Sequence, residues 1–242
     1  MKTFPLFLFI IASTAASAQE ITHDLEHFTR IVASPRVNVI LRQGDHESIR
    51  IVHQGITEDD INVKVTGKTL RIFLDHARKL EPMRRKSRYG RRESLYEGAS
   101  VTAVVTYKSL HRIEIRGNQE LTCEGPIDAW QFVVCAYGEN EINLRSLHAN
   151  YFKAKMYGEN HLDIAEGKAL DQKYVLYGEN KIDASALRAE YSFTRIFGEG
   201  SLRINSSEQV MINAIGEPRI LVDGGAQINR RLVIGDARID GR

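Results

Sequence analysis

The tetrapeptide Tyr-Gly-Glu-Asn occurs three times in step, as Tyr137-Gly138-Glu139-Asn140, Tyr157-Gly158-Glu159-Asn160 and Tyr177-Gly178-Glu179-Asn180. Two weaker copies follow, Phe197-Gly198-Glu199-Gly200 and Ile215-Gly216-Glu217-Pro218. These glycines are spaced by 20, 20, 20 and 18 residues, and looser relatives at Arg116-Gly117-Asn118 and Ile234-Gly235-Asp236 lie 21 residues before and 19 after. A constant period near 20 means that each copy is one structural unit, unable to bury its apolar face alone, so that the units must stack.

Counting from each motif glycine shows what the units bury. Four residues on stand Leu121, Ile142, Leu162, Ile182, Leu202 and Ile220, and six residues on stand Cys123, Leu144, Ile164, Ala184, Ile204 and Val222. Two residues before it stand Ala136, Met156, Leu176, Ile196 and Ala214. These are period-2 strands on both sides of a glycine turn, with inward rows that match from copy to copy. They predict an all-β chain whose repeats wind as a parallel β-solenoid of the β-helix or β-roll kind. The glycine suits a tight corner. Asn140, Asn160 and Asn180 would form an amide ladder, with an aromatic row of Tyr137, Tyr157, Tyr177 and Phe197 beside it.

Upstream, residues 37–41, 48–52, 61–65, 70–74 and 101–105 alternate apolar with polar and are separated by glycine turns, as strands require. Residues 76–98 are polar and read as a loop. The first 18 residues combine Lys2, an apolar run and Ala16-Ser17-Ala18, the pattern of a cleaved export signal. The expected organisation is thus a signal peptide over 1–18, an N-terminal β region over 19–107 containing the basic loop, and the repeat region over 108–242. No later stretch is long and apolar enough to span a membrane. Export permits a bridge between Cys123 and Cys135, although their different places in the repeat argue against one. Exposed strand edges at the ends of such a stack call for capping by the N-terminal strands or for homo-oligomerisation.

These residues resemble the bacterial GIN domain family, described as the head of an autotransporter adhesin. The resemblance rests on Phe28-x-x-Ile31, Val37-Asn38-Val39 and Gln43-Gly44-Asp45 at the start, and on the glycine-x-Asn/Asp-apolar unit seen in Gly138-Glu139-Asn140-Glu141-Ile142. Glutamate between the glycine and the asparagine, and the long basic insert, depart from the family pattern. The resemblance implies an exported all-β protein without an established reaction.

Charge supplies the candidate binding residues. Glu139, Glu159, Glu179, Glu199 and Glu217 follow successive glycines, at strand spacings of roughly 4.8 Å. Aligned carboxylates repel, so the row needs splaying into water, counter-charges or a bound cation such as Ca²⁺. Residues 78–92 hold eight basic side chains, Arg84, Arg85, Lys86 and Arg88 among them, against Glu81 alone, in a chain of net charge +2. This segment either folds over the glutamate edge or meets an anionic partner, such as a glycan or lipopolysaccharide. Its single tyrosine argues against nucleic acid. Histidines lack paired ligand spacing, so no zinc site is expected, and apart from the Ca²⁺ alternative no cofactor is implied. Asp163 and Asp183, with Asn143 before them and Arg203 after, share one register and would be the acids of a carbohydrate-active enzyme. The reading favoured by the residues is non-catalytic: an adhesin-like envelope protein, periplasmic or at the cell surface, binding a glycan, a lipopolysaccharide or an envelope protein.

Overall fold

A computed structural model describes residues 19–80, 82–85 and 92–242. The signal peptide expected over 1–18 lies outside the described residues. Strand takes up 77% of the described residues and no α-helix is present among them, so the fold is all-β. The strands are β1 (Gln19–Asp24), β2 (Arg30–Ala33), β3 (Asn38–Gln43), β4 (Ser48–Gln54), β5 (Ile61–Thr66), β6 (Thr69–Leu74), β7 (Met83–Arg85) and β8 (Arg92–Ser94). There follow β9 (Ser100–Tyr107), β10 (Arg112–Gly158), β11 (His161–Ile164), β12 (Gly167–Gly216), β13 (Arg219–Asp223), β14 (Gln227–Ile234) and β15 (Arg238–Gly241). All five strands expected upstream are present.

β10 and β12 are 47 and 50 residues long, so they bend repeatedly while the backbone stays extended. Their pairing is parallel at an offset of 20: Tyr157 faces Tyr177, Ala149 faces Ala169 and, through β11, Asn143, Asp163 and Asp183 share one register. Three runs per repeat take part. One ends at the motif glycine and one follows it, and a third pairs Leu147, His148 and Ala149 with Gly167, Lys168 and Ala169. The inward rows counted from the sequence are buried throughout, from Leu121 and Ala136 to Ile220 and Val222.

The large sheet is mostly parallel, and its antiparallel pairs gather at the N-terminal end. There β5 pairs with β6, while β4 lies between β1 and β9. β6 then continues in parallel into β2 and residues 112–115, and β9 into β3 and residues 121–123. At the other end β14 and β15 are outermost, with Leu232, Val233 and Ile234 exposed. Cys123 and Cys135 are buried and unbridged, and burial raises the pKa of both thiols.

One segment differs from its expected form. Residues 76–98 contain a short antiparallel pair, β7 with β8, rather than a plain loop. The pair is too brief for its alternation to register in sequence, and its base is tied down locally. The Leu95 amide donates to the Pro82 carbonyl at 2.8 Å, and the hydroxyl of buried Tyr96 donates to the Asp75 carbonyl at 2.7 Å.

Candidate functional site

Each corner joins the run before the motif glycine to the run after it, and its residues stack in columns. Gly117, Gly138, Gly158, Gly178, Gly198, Gly216 and Gly235 form the first column, with φ between 97° and 126°. A Cβ on any of the last six would overlap the carbonyl oxygen of the glycine before it. Two constraints therefore coincide: a left-handed backbone and a contact that leaves no room for a side chain. That carbonyl is used, since the Glu159 amide donates to Gly138 O at 2.8 Å and the Glu217 amide to Gly198 O at 3.2 Å.

The asparagine column turns inward and is almost wholly buried. Asn140 Nδ2 donates to Asn160 Oδ1 at 2.8 Å, and Asn160 Nδ2 donates to Asn180 Oδ1 at 3.0 Å. The same oxygens accept from the Asn140 and Asn160 amides. The ladder is bounded by Gln119, which turns towards the Ser34 and Arg116 carbonyls and leaves Asn140 Oδ1 without a partner, and by Gly200, which has no side chain. On the other side of the glycines Tyr137, Tyr157, Tyr177 and Phe197 stack nearly parallel, with centroids 5.2, 5.0 and 4.8 Å apart. Arg116 closes the row, its guanidinium 5.6 Å from the Tyr137 centroid.

The five glutamates stand in one exposed column, as their spacing required. Asn118 precedes them and donates to Glu139 Oε2 at 3.1 Å, and Asp236 follows the last motif glycine. Among the described residues Glu159, Glu179, Glu199 and Glu217 make no side-chain hydrogen bond or ion pair. Glu139, Glu159 and Glu179 line an open groove of about 570 Å³ together with Glu141, His161 and Lys181. Among the described residues no group of three or more His, Cys, Asp or Glu side chains is placed to hold a metal ion.

β6 and β9 flank β2 and β3, so the basic segment that joins β6 to β9 leaves at Asp75 and returns at Ala99 on the line that the later corners follow. The corners at 34–37 and 116–119 separate it from Glu139. The backbones of Arg84 and Arg85 lie on β7, opposite Glu93 and Arg92. Lys86 and Arg88 lie outside the described residues, as do the side chains of Arg84 and Arg85.

Asp163 and Asp183 do adjoin in register, but Asp183 is already engaged. It accepts from the Ser185 hydroxyl at 2.6 Å and from Arg203 at 2.9 Å. Burial alone would raise its pKa, and the Ser185 hydrogen bonds and the Arg203 charge bring it below the ordinary carboxylate value. A carboxylate held ionised in this way is a poor proton donor.

Sequence reasoning missed what lies on the outer side of the run before each glycine. Outward positions alternate with the buried rows there, and they hold Lys153 and Lys155 in one repeat, Lys173 and Val175 in the next, and Phe193 and Arg195 after that. The Lys173 ammonium sits 4.5 Å from the Phe193 centroid and the Arg195 guanidinium 5.9 Å from it. Beside the glycines, then, run three parallel stripes: basic, aromatic and acidic. In the basic one only Lys153 and Lys173 repeat at one position, while Val175, Phe193 and Arg195 break the pattern, which is why the motif count passed it over.

The family described as "Putative auto-transporter adhesin, head GIN domain" matches residues 27–226. The chain belongs to this family. None of the curated proteins compared with it matches. Among solved structures, a putative adhesin from Bacteroides fragilis is similar at a TM-score of 0.76 and 18% identity, covering 94% of this chain and 98% of that one. A putative adhesin from Parabacteroides merdae follows at 0.64 and 14%, covering 94% and 97%. A protein from Parabacteroides distasonis described as a putative lipid binding protein is similar at 0.60 and 11%, covering 94% and 98%. At these identities the likeness shows the fold. Among the described residues no helix is long and apolar enough to cross a membrane.

Proposed function

We propose that this chain is an exported, non-catalytic, adhesin-like binding domain of the cell envelope, wound as a parallel β-solenoid from the repeats at 108–242 and closed at one end by the β strands of 19–107. The observation that carries this reading is the striped outer surface. Its acidic stripe runs through five repeats, its aromatic one through four and its basic one through three, a geometry suited to holding an extended partner rather than enclosing a small substrate. The winding is supported by the 20-residue parallel register and the stacked glycines. Family membership supports the adhesin-like assignment. The export signal read over 1–18 supports a periplasmic or cell-surface location. The partner is an anionic glycan, a lipopolysaccharide or an envelope protein, and the exposed Leu232, Val233 and Ile234 at the outer strands support end-to-end association of two copies.

A glycan and lipid array probed with the purified protein tests the reading, repeated with residues 84–92 replaced by a short glycine-serine turn. Binding to an envelope glycan or lipid is expected. Failure to bind any of them, or release of new reducing ends from a polysaccharide on incubation, would contradict it.

A further inference from the structure

The basic stripe carries a more specific assignment. The same line of outward positions extends beyond the repeats, where Lys64 pairs across to Arg71, Arg71 to Val32 and Val32 to Glu114, with uncharged Cys135 between Glu114 and Lys155 and Val175 between Lys155 and Arg195. From β5 to residue 197 the acidic side chains at outward positions on this face are Glu114 and Asp171. The Glu114 carboxylate is already neutralised. It lies between Arg112, 2.8 Å away, and Arg116, whose Nε also donates to it at 2.8 Å. No carboxylate pairs with Lys153, Lys155, Lys173 or Arg195 among the described residues. Lys153 and Lys173 are moreover directly opposed on neighbouring strands. Burial lowers the pKa of Lys153, and the ammonium groups of Lys155 and Lys173 lower it further. A flat face that concentrates uncompensated cations in a chain of net charge +2 is built to be neutralised from outside.

We propose that this face binds a linear acidic polysaccharide carrying a carboxylate on each sugar, laid along the stack with its carboxylates on Lys153, Lys173 and Arg195. The assignment rests on the reading above, that the outer surface binds an envelope partner. Cations recur at the strand spacing of roughly 4.8 Å, which is close to the advance of one ring in an extended uronate chain. The neighbouring tyrosines offer hydroxyls and half-exposed ring edges to the sugar. Their faces are covered by one another, with interplanar angles of 3° to 5°, so this row offers no series of free rings for successive bases and a nucleic acid is disfavoured. Of the large exposed apolar side chains Leu80, Met83 and Ile234 lie off this face, and those on or beside it, Tyr137, Tyr157 and Tyr191, all carry a hydroxyl, which disfavours deep insertion into a lipid surface.

Affinity electrophoresis through gels containing polygalacturonate, dextran, single-stranded DNA or no polymer tests the proposal, with sedimentation on phosphatidylglycerol vesicles as a fifth arm. Retardation by polygalacturonate that weakens with added salt, and its absence with dextran, is expected. The variant Lys153→Ala/Lys155→Ala/Lys173→Ala should lose about tenfold or more in affinity at an unchanged melting temperature. Glu139→Gln/Glu159→Gln/Glu179→Gln should bind as well as the parent or better. Full affinity in the lysine variant would overturn the proposal, as would equal binding of DNA or vesicles. If the array finds another ligand while polygalacturonate is not bound, this assignment falls and the broader reading stands; if nothing is bound, both fall.

Discussion

The corner columns and the strand face beside them lie a few ångströms apart, and they differ in what they tolerate. At the corners one residue type recurs because one geometry recurs: glycine under a carbonyl, asparagine bonded to asparagine, ring on ring. On the face the charge persists while the residues change, from Lys153 and Lys173 to Arg195. Repetition in this chain marks what the backbone needs. The surface open to a partner is found where the repeat varies.

Substitutions at the corner should give the largest effects and so test the comparison most severely. Gly158→Ala places a Cβ against the Gly138 carbonyl at a φ of 108°, and a loss of more than about 4 kcal/mol in urea unfolding is expected. Asn160→Ala removes the acceptor of Asn140 and the donor to Asn180 and to the Tyr157 carbonyl. About 2–4 kcal/mol is expected from the buried groups left unpaired. Tyr157→Ala breaks two stacked pairs on a partly exposed edge and should cost about 1–3 kcal/mol. Glu139→Gln/Glu159→Gln/Glu179→Gln should be smallest, and of opposite sign. Relief of like-charge repulsion raises the melting midpoint slightly, by less than about 1 kcal/mol, and more at low ionic strength. A marked loss would show that the glutamates carry structure.

A second pH-dependent contact lies away from the repeats and should respond differently. Glu47 is buried, with His27 Nδ1 at 2.7 Å and Lys108 Nζ at 3.5 Å. Burial alone would raise its pKa, but the His27 hydrogen bond and the Lys108 charge bring it below the ordinary value. Its stabilisation is therefore present at neutral pH and lost as pH falls from about 4.3 through the lower folded value. Glu47→Gln should flatten that part of the stability profile, measured by urea unfolding across the acid range.

What the sequence revealed follows the same division. The inward rows, the asparagine ladder and the aromatic stack were legible because each demands one residue type at one interval. The third run of each repeat was not, since Leu147 is answered by Gly167 and the period is lost. Gln172 also escaped notice: it stands buried opposite Phe152 and bonds to Tyr174, Ser192 and the Asn205 carbonyl, a polar cluster where the pattern calls for an apolar side chain. The basic stripe was hidden for the reason already given, that it mixes lysine and arginine with uncharged Val175 and Phe193. Segment 78–92, by contrast, drew attention by density of arginine in sequence.

Equilibrium urea unfolding of Asn160→Asp beside Lys153→Ala/Lys155→Ala/Lys173→Ala is the most direct test of this division. Asparagine and aspartate have the same shape, so the first variant changes only the ladder's hydrogen bonding and charge. It should lose about 3 kcal/mol or more, while the lysine variant keeps or slightly gains stability. A lysine variant that falls as far as Asn160→Asp would mean that the face, too, is part of what holds the stack together.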